Sequence, residues 1–370
     1  MSKDNIAVII IAAGYSSRMH DFKPLLPLGK TNALRRLIQT YQNFGIKHKH
    51  IYVVTGYKQE EILKELKDDD IVTVYNEDYT KGMFSSIQKG LSTMNEKIEA
   101  FFMHPVDIPL VRVKSLEYLY KAYKYEHKGV IYPTFLGKKG HPPLIDMKYK
   151  ESILLSDGEG GLKQVLKAFK NDALHVSVCD QSIMMDMDTF EDYQSLVAYE
   201  ALGVPNKREC LAIMEQNGVD EHIIKHTQAV GEMVLTLFDK VSQYNLNLDK
   251  NILLAAALLH DISRKEKNHA FIGAKKLYSM GYKTIGDIIE THMDINVDMN
   301  QSLNANELLF LADKLVSEDK VCSFEKRFKE SLIKCEGNLK AIKNIHKRLQ
   351  STRDIIRKIE NLMGKEFLYG

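Results

Sequence analysis

The sequence has no apolar run of membrane-spanning length, no cysteine pair at C-x-x-C spacing and no excess of either charge. A helix needs about 20 consecutive apolar residues to cross a bilayer, so the first absence excludes a helical membrane protein. The apolar stretch Ile6–Ile11 is also too short for a signal-peptide core and lacks a small-residue cleavage site. Cys179, Cys210, Cys322 and Cys335 are scattered, which argues against a zinc knuckle or a disulfide framework and favours a reducing, cytoplasmic setting. With 51 Lys and Arg against 49 Asp and Glu, the net charge of +2 gives no field to draw nucleic acid or an acidic membrane. Two familiar phosphate loops are missing as well. No Gly-Lys-Ser/Thr stands four residues beyond a first glycine, and Gly14 has no companion glycines for a dinucleotide fingerprint.

What is present divides in two. At 370 residues the chain suits two domains. As far as Leu202, β-branched runs at 6–11, 51–55, 71–75, 100–103, 130–133 and 174–178 alternate with helical patterns, the rhythm of an α/β fold with a mostly parallel sheet. Asn32–Phe44 reads as a helix stopped by Gly45. Ligands in such sheets lie beyond the carboxyl ends of the strands. Two features fall there. The stretch after Ile11 supplies Ala12, Ala13, Gly14, Ser16, Arg18 and Lys23, a glycine turn whose amides face an anion, backed by hydroxyl and cationic groups. Asp107 stands in HPVDIPL, where flanking prolines exclude helix and fix a carboxylate at a strand exit. Alone, a turn aspartate bonding its own backbone is the plainer reading; a phosphate cradle facing it favours a Mg²⁺ ligand. Asp186 and Asp188 form a second acidic pair before a helix, where either also suits the N-cap.

Five separated motifs in this half resemble those of the molybdenum-cofactor cytidylyl- and guanylyltransferases, nucleotidyltransferases of the MobA-like type. AAGYSSRM resembles their AAG-x-S-x-R-M loop, GMFSSI their G-M-x-x-S segment, VDIPL their magnesium aspartate, KGHPPL their G-H-P segment and DMDTFEDY their D-x-D-T-P-E-D. The resemblance implies a Rossmann-like nucleotidyltransferase domain over residues 1–203. It implies catalytic Arg18, Lys23, Asp107 and Asp188, Mg²⁺ on Asp107 and Asp188, and nucleotide contacts from Ala12, Ala13, Gly14, Ser16, Ser85 and Ser86. His141 falls on the acceptor side, where a structural role is equally open. The doubled alanine favours the cytidylyl branch. His20 and Phe190 depart from the family's glycine and proline.

After Gly203 and Pro205 the strand pattern ends and helices follow. The stretch 251–261, NILLAAALLHD, is apolar nearly all round and so reads as a buried helix ending in His260 and Asp261. Burying even a neutral polar group unpartnered costs roughly 2–7 kcal/mol in the harshest reference state, and a metal ion satisfies both residues at once. His226, His260, Asp261 and Asp313 resemble the ligand pattern of HD-domain metal-dependent phosphohydrolases, and His269 and His292 resemble the extra histidines of two-metal members. That resemblance implies an all-α HD domain over 204–325. Nitrogen and oxygen ligands without thiolate suit Mn²⁺, Fe²⁺, Mg²⁺ or Zn²⁺. Lys265 reads as a solvated lysine more readily than as a phosphate contact. The segment 326–370 reads as a helical extension, packed or forming a homodimer, in preference to binding nucleic acid.

The expected activity is transfer of CMP from CTP, or another nucleoside triphosphate, to molybdopterin or the molybdenum cofactor, with pyrophosphate release and a second, phosphohydrolase activity. Three rivals stand beside it. The acceptor is instead a sugar, polyol or choline phosphate; the HD domain is the active part beside a nucleotide sensor; or the chain carries the cofactor to a molybdenum enzyme without turnover.

Overall fold

The six apolar residues Ile6–Ile11 form β1 and are buried on both faces, the pattern of a strand with helices on either side of its sheet. The computed structural model describes residues 3–15, 19 and 21–367 and divides into two units, Met1–Gly203 and Val204–Gly370. In the first, β1 is followed by β2 (Ile51–Thr55), β3 (Val72–Tyr75), β4 (Ala100–Pro105), β5 (Val130–Phe135), β6 (Lys138–Lys139), β7 (Leu144–Asp146) and β8 (Ala173–Ser177). The sheet order is β8-β5-β7-β4-β1-β2-β3, with β6 paired to β5. β1 runs parallel to β2 and β4, while β7 lies antiparallel between β4 and β5. The short β7 was not expected, because three residues after Pro142 and Pro143 carry no periodicity to read.

Helices close the sheet. α1 (Ala33–Phe44) is capped by the Asn32 side chain, which accepts from the Arg35 N–H, and ends at Gly45, whose φ of 102° is the left-handed stop. α2 (Met83–Ser92) follows Gly82, and α3 (Val113–Glu126) packs against α1 and β5. α4 (Phe190–Leu202) is capped by Thr189, with Asp192 closing a capping box. Neither Asp186 nor Asp188 is the cap.

The second unit contains eight α-helices among its described residues. They are α5 (Lys207–Gln216), α6 (Glu221–Val241), α7 (Lys250–Leu259), α8 (His269–Ser279), α9 (Lys283–Ile289), α10 (Ala305–Lys314), α11 (Phe324–Lys334) and α12 (Leu339–Met363). α7 is the centre, with Leu253 and Ala255 through Leu259 buried against α6, α5, α9 and α10. α11 and α12, expected as an extension from 326, pack within this unit. Lys358 of α12 donates to Glu307 of α10 at 2.7 Å, with both side chains at most 6% exposed. Lys358→Met leaves that carboxylate buried without its cation, and the expected loss is about 3–5 kcal/mol of unfolding free energy, read from urea titration. Among the described residues no helix is long and apolar enough to cross a membrane.

Candidate functional sites

In the β1–β4 register Ile11 pairs with Pro105, so the chain leaves both strands side by side and the Gly14 and Asp107 loops share one edge of the sheet. A cleft of about 520 Å³ opens there. Ala12, Ala13, Gly14, Lys23, Ser86, Asp107, Asp186 and Asp188 line it. Lys23 donates to Asp188 at 2.9 Å. Burial pushes the Asp107 carboxyl up; Lys23 pulls it down, and Asp188 and Asp186 push it up again. Crowded carboxylates in a half-buried cleft are the donor set of a hard cation such as Mg²⁺. Gly14 has an ordinary φ, and a Cβ there would meet nothing within 4 Å. Backbone strain is therefore not what requires glycine; the missing side chain leaves the cleft floor open.

Two described residues of the expected set, Ser85 and His141, stand apart from this cleft. Ser16 and Arg18, like His20, lie outside the described residues. Ser85, expected at the nucleotide, donates to the carbonyls of Asp78 and Gly82 at 2.9 Å and does not line the cleft, whereas its neighbour Ser86 does. Asn76 organises the pair, donating to Ser85 Oγ at 2.9 Å and Ser86 Oγ at 3.0 Å. His141 also lies off the lining. Its N–H donates to Ile183 O at 2.8 Å, while burial pulls its imidazole down and Asp186 opposes that.

The Asp107 loop has a support that the sequence reading missed. His104, fully buried on β4, donates from Nε2 to Ile108 O at 2.9 Å and accepts at Nδ1 from the Tyr41 hydroxyl at 2.6 Å. Burial pulls its pKa down to about 3. Below pH 6.5 the unfolded chain takes up a proton that the folded imidazole refuses, so acidification destabilises the protein until about pH 3. The slope is about 1.4 kcal/mol per pH unit. The stability advantage of the wild type over His104→Gln is therefore expected to shrink by about 2 kcal/mol between pH 6.5 and pH 5, measured by denaturant titration.

In the second unit, His226 on α6, His260 and Asp261 after α7, His269 at the start of α8, His292 after α9 and Asp313 on α10 converge. Ligand atoms of His226, His260 and Asp261 lie within 4.8 Å of one another, as do those of Asp261, His269 and His292. Asp261 belongs to both trios. Three imidazoles turn Nδ1 to a backbone carbonyl: His226 to Glu318 at 2.7 Å, His260 to Ala257 at 2.8 Å and His292 to Ile289 at 2.6 Å. With Nδ1–H donating, each presents an Nε2 lone pair inward. His260 Nε2 is buried with no hydrogen-bond partner, and His269 and His292 face each other Nε2 to Nε2 at 3.2 Å. Orphaned and opposed lone pairs around a carboxylate are what a divalent cation would satisfy, so these residues fit the metal that the resemblance implies.

The charges agree with that fit. Burial pulls His260 down to about 4, keeping it a neutral ligand at physiological pH. Burial alone would raise the Asp261 carboxyl, yet His260, His269 and His292 hold it well below the usual carboxylate range. Asp313 Oδ1 stands 3.2 Å from His226 Nε2, and Oδ2 accepts from buried Lys314 at 2.6 Å. Lys265 donates to Asp220 at 2.8 Å, while its neighbour Arg264 reaches toward the site, 3.3 Å from His269 Nε2 and 3.5 Å from Asp261. Arg264 was missed, though its place three residues beyond Asp261, one helical turn on, is a readable signal.

A mostly parallel sheet with acidic and cationic groups at its switch edge, followed by a helical unit centred on a His-Asp pair, fits a nucleotidyltransferase-type domain joined to an HD domain. Comparison with known families agrees: residues 8–176 match the MobA-like NTP transferase domain and residues 223–318 the HD domain. The chain thus carries a MobA-like NTP transferase domain and an HD domain. It is 26% identical to the molybdenum cofactor cytidylyltransferase of Escherichia coli (strain K12) over 189 residues, 51% of this chain and 93% of the relative. It is 24% identical to the tRNA (cytidine(56)-2′-O)-methyltransferase of Picrophilus torridus over 183 residues, 44% of this chain and about half, 49%, of that relative's length. A crystal structure from Mycobacterium sp. strain JC1 shares 22% identity at a TM-score of 0.48, over 53% of this chain and 97% of that one.

Proposed function

We propose that the first unit transfers CMP from CTP to a phosphorylated acceptor, molybdopterin or the molybdenum cofactor, with release of pyrophosphate. The observation that carries this reading is the meeting of Lys23, Asp107, Asp186 and Asp188 with the Gly14 loop in one cleft. A phosphomonoester acceptor is mostly ionised near neutral pH, its second pKa being about 6, so its oxygen attacks the α-phosphorus without a protein base. A new P–O bond forms, the bond to the β-phosphate oxygen breaks, and pyrophosphate carries the electron pair away. Lys23, with Arg18, neutralises the departing charge, and the Gly14 loop and Ser86 hold the nucleotide. His141 is assigned to the acceptor side. Asp107 and Asp188 would hold Mg²⁺, which when bound supplies charge neutralisation across the phosphates.

The relative that acts on the molybdenum cofactor supports this acceptor over a sugar, polyol or choline phosphate. The test is pyrophosphate release from each of the four nucleoside triphosphates with Mg²⁺, with and without molybdenum cofactor. Cofactor-dependent release from CTP is expected. Unchanged CTP in the presence of active cofactor removes the reading.

A second activity is favoured by the two trios that share Asp261. We assign to the HD domain hydrolysis of a phosphate ester, with His226, His260, Asp261 and Asp313 on one divalent ion and Asp261, His269 and His292 on another. Such ions, Mn²⁺, Fe²⁺, Mg²⁺ or Zn²⁺, when bound supply acidification of water. The chain's own residues fix the geometry: backbone carbonyls orient three imidazoles, and Lys314 holds Asp313.

A further inference from the structure

We propose that the helices beyond the HD family match form a nucleoside pocket beside the histidine site, so that the phosphate ester taken there is a nucleoside monophosphate. This rests on the phosphohydrolase reading of that site and adds its substrate class. Two cavities open next to the trios. One, about 400 Å³, is lined by His226 and Asp261, the open edge of the first trio. The other, about 380 Å³, is lined by Asp313 together with Met293, Phe328, Ile345, Asn344 and Arg348. Arg264 and Arg327 line both. A phosphate at the first trio therefore meets a guanidinium wall, and the organic part of the ester is directed into the second cavity.

The residues of that second cavity choose among organic groups. Its cations outnumber its acids: Arg264, Lys314, Arg327 and Arg348 stand against Asp313, with Arg348 also paired to Asp294 at 2.8 and 2.9 Å. That balance suits a phosphate. Arg327 is fixed for this task by donating to the backbone carbonyls of Asp313 and Val316. In the same lining Phe328, Met293 and Ile345 offer apolar faces, while Ser331 and Asn344 offer polar groups. A flat ring with polar edges uses both, whereas a bare sugar or a polyphosphate chain leaves the apolar faces unused. The volume lies within the range of roughly 300–1,000 Å³ found for small-molecule sites. Phe328, Ser331, Asn344, Ile345 and Arg348 all follow residue 318, where the HD match ends, so this wall belongs to the present chain's own α11 and α12. Hydrolysis there consumes one water, breaks the P–O ester bond and yields inorganic phosphate and the nucleoside.

Cys335 lines the second cavity and is half-buried, so its alkylation reports occupancy without any turnover. Full-length protein with Mn²⁺ is treated with iodoacetamide, and modification of Cys335 and Cys322 is followed by peptide mass spectrometry. AMP, GMP, CMP, UMP, ribose 5-phosphate and inorganic phosphate are the probes. At least one nucleotide is expected to slow Cys335 modification tenfold or more, with Cys322 held within twofold and the two smaller phosphates without effect. No slowing by any nucleotide, or equal slowing by ribose 5-phosphate, overturns the proposal. Ala341→Trp fills the cavity from its wall and is expected to abolish the protection. Phosphate release is assayed in parallel. Protection without release keeps the pocket and removes the phosphohydrolase reading; release from ribose 5-phosphate without protection does the reverse.

Discussion

Asp107→Asn is expected to lower cofactor-dependent pyrophosphate release from CTP by on the order of 10²–10³-fold while leaving the fold intact. Asn keeps the shape and removes the charge that would hold Mg²⁺ across the phosphates. Stability should move the other way. Burial, with Asp188 and Asp186 adding to it, pushes the Asp107 carboxyl above its ordinary pKa, so the ionised form is a strain on the folded state that the amide relieves. Loss of activity with a melting temperature equal to or above that of the wild type is the signature of a residue kept for chemistry at the expense of stability. Activity within a few-fold of wild type would mean that the carboxylate only shapes its turn. Lys23→Met separates two further roles. If Lys23 neutralises pyrophosphate, kcat falls; if its bond to Asp188 merely closes the cleft, KM changes alone.

How far the sequence foretold these sites depends on the range of the interactions involved. Ile6–Ile11 was legible because a strand buried on both faces must be continuously apolar, and NILLAAALLHD because a buried helix ending in two polar groups calls for a partner. The convergence of six candidate ligand residues from five helices was legible only through the motif pattern, since nothing local in His226 or Asp313 announces the other. What stayed hidden was set by partners distant in sequence. Thr189 takes the N-cap because its hydroxyl and Asp192 close a box, which leaves Asp186 and Asp188 facing the cleft. Ser85 and Ser86 look equivalent in sequence, yet the helical rotation between them turns one to the Gly82 carbonyl and the other into the cleft. β7 is too short for any period, and the place of α12 depends on the buried pair of Lys358 with Glu307, 51 residues away. Lys265 and Arg264 differ by one residue, and only the turn after α7 decides that Arg264 faces the histidines.

Asp261→Asn is expected to abolish binding of both divalent ions proposed for the HD domain, whereas His269→Ala abolishes one. The reason lies in the sharing of ligands. Asp261 Oδ2 stands 3.5 Å from His260 Nε2, while Oδ1 stands 3.3 and 3.5 Å from His269 and His292 Nε2, so one carboxylate serves two trios. An amide offers a weaker ligand oxygen on one side and an N–H donor on the other, and it also takes away the charge that offsets the cations. Metal analysis after loading with Mn²⁺ and desalting should give two ions in the wild type, one in His269→Ala and none in Asp261→Asn. A melting series is the independent readout. Metal at 100 times its Kd adds about 2.7 kcal/mol to a protein that binds it only when folded. The wild type should show this gain and lose it on chelation, and Asp261→Asn should show neither. Should Asp261→Asn keep one ion, the two trios bind independently, and His226, His260 and Asp313 hold their metal without the bridging carboxylate. Two ions retained would mean that the trios are hydrogen-bonded polar clusters in the core rather than ligands.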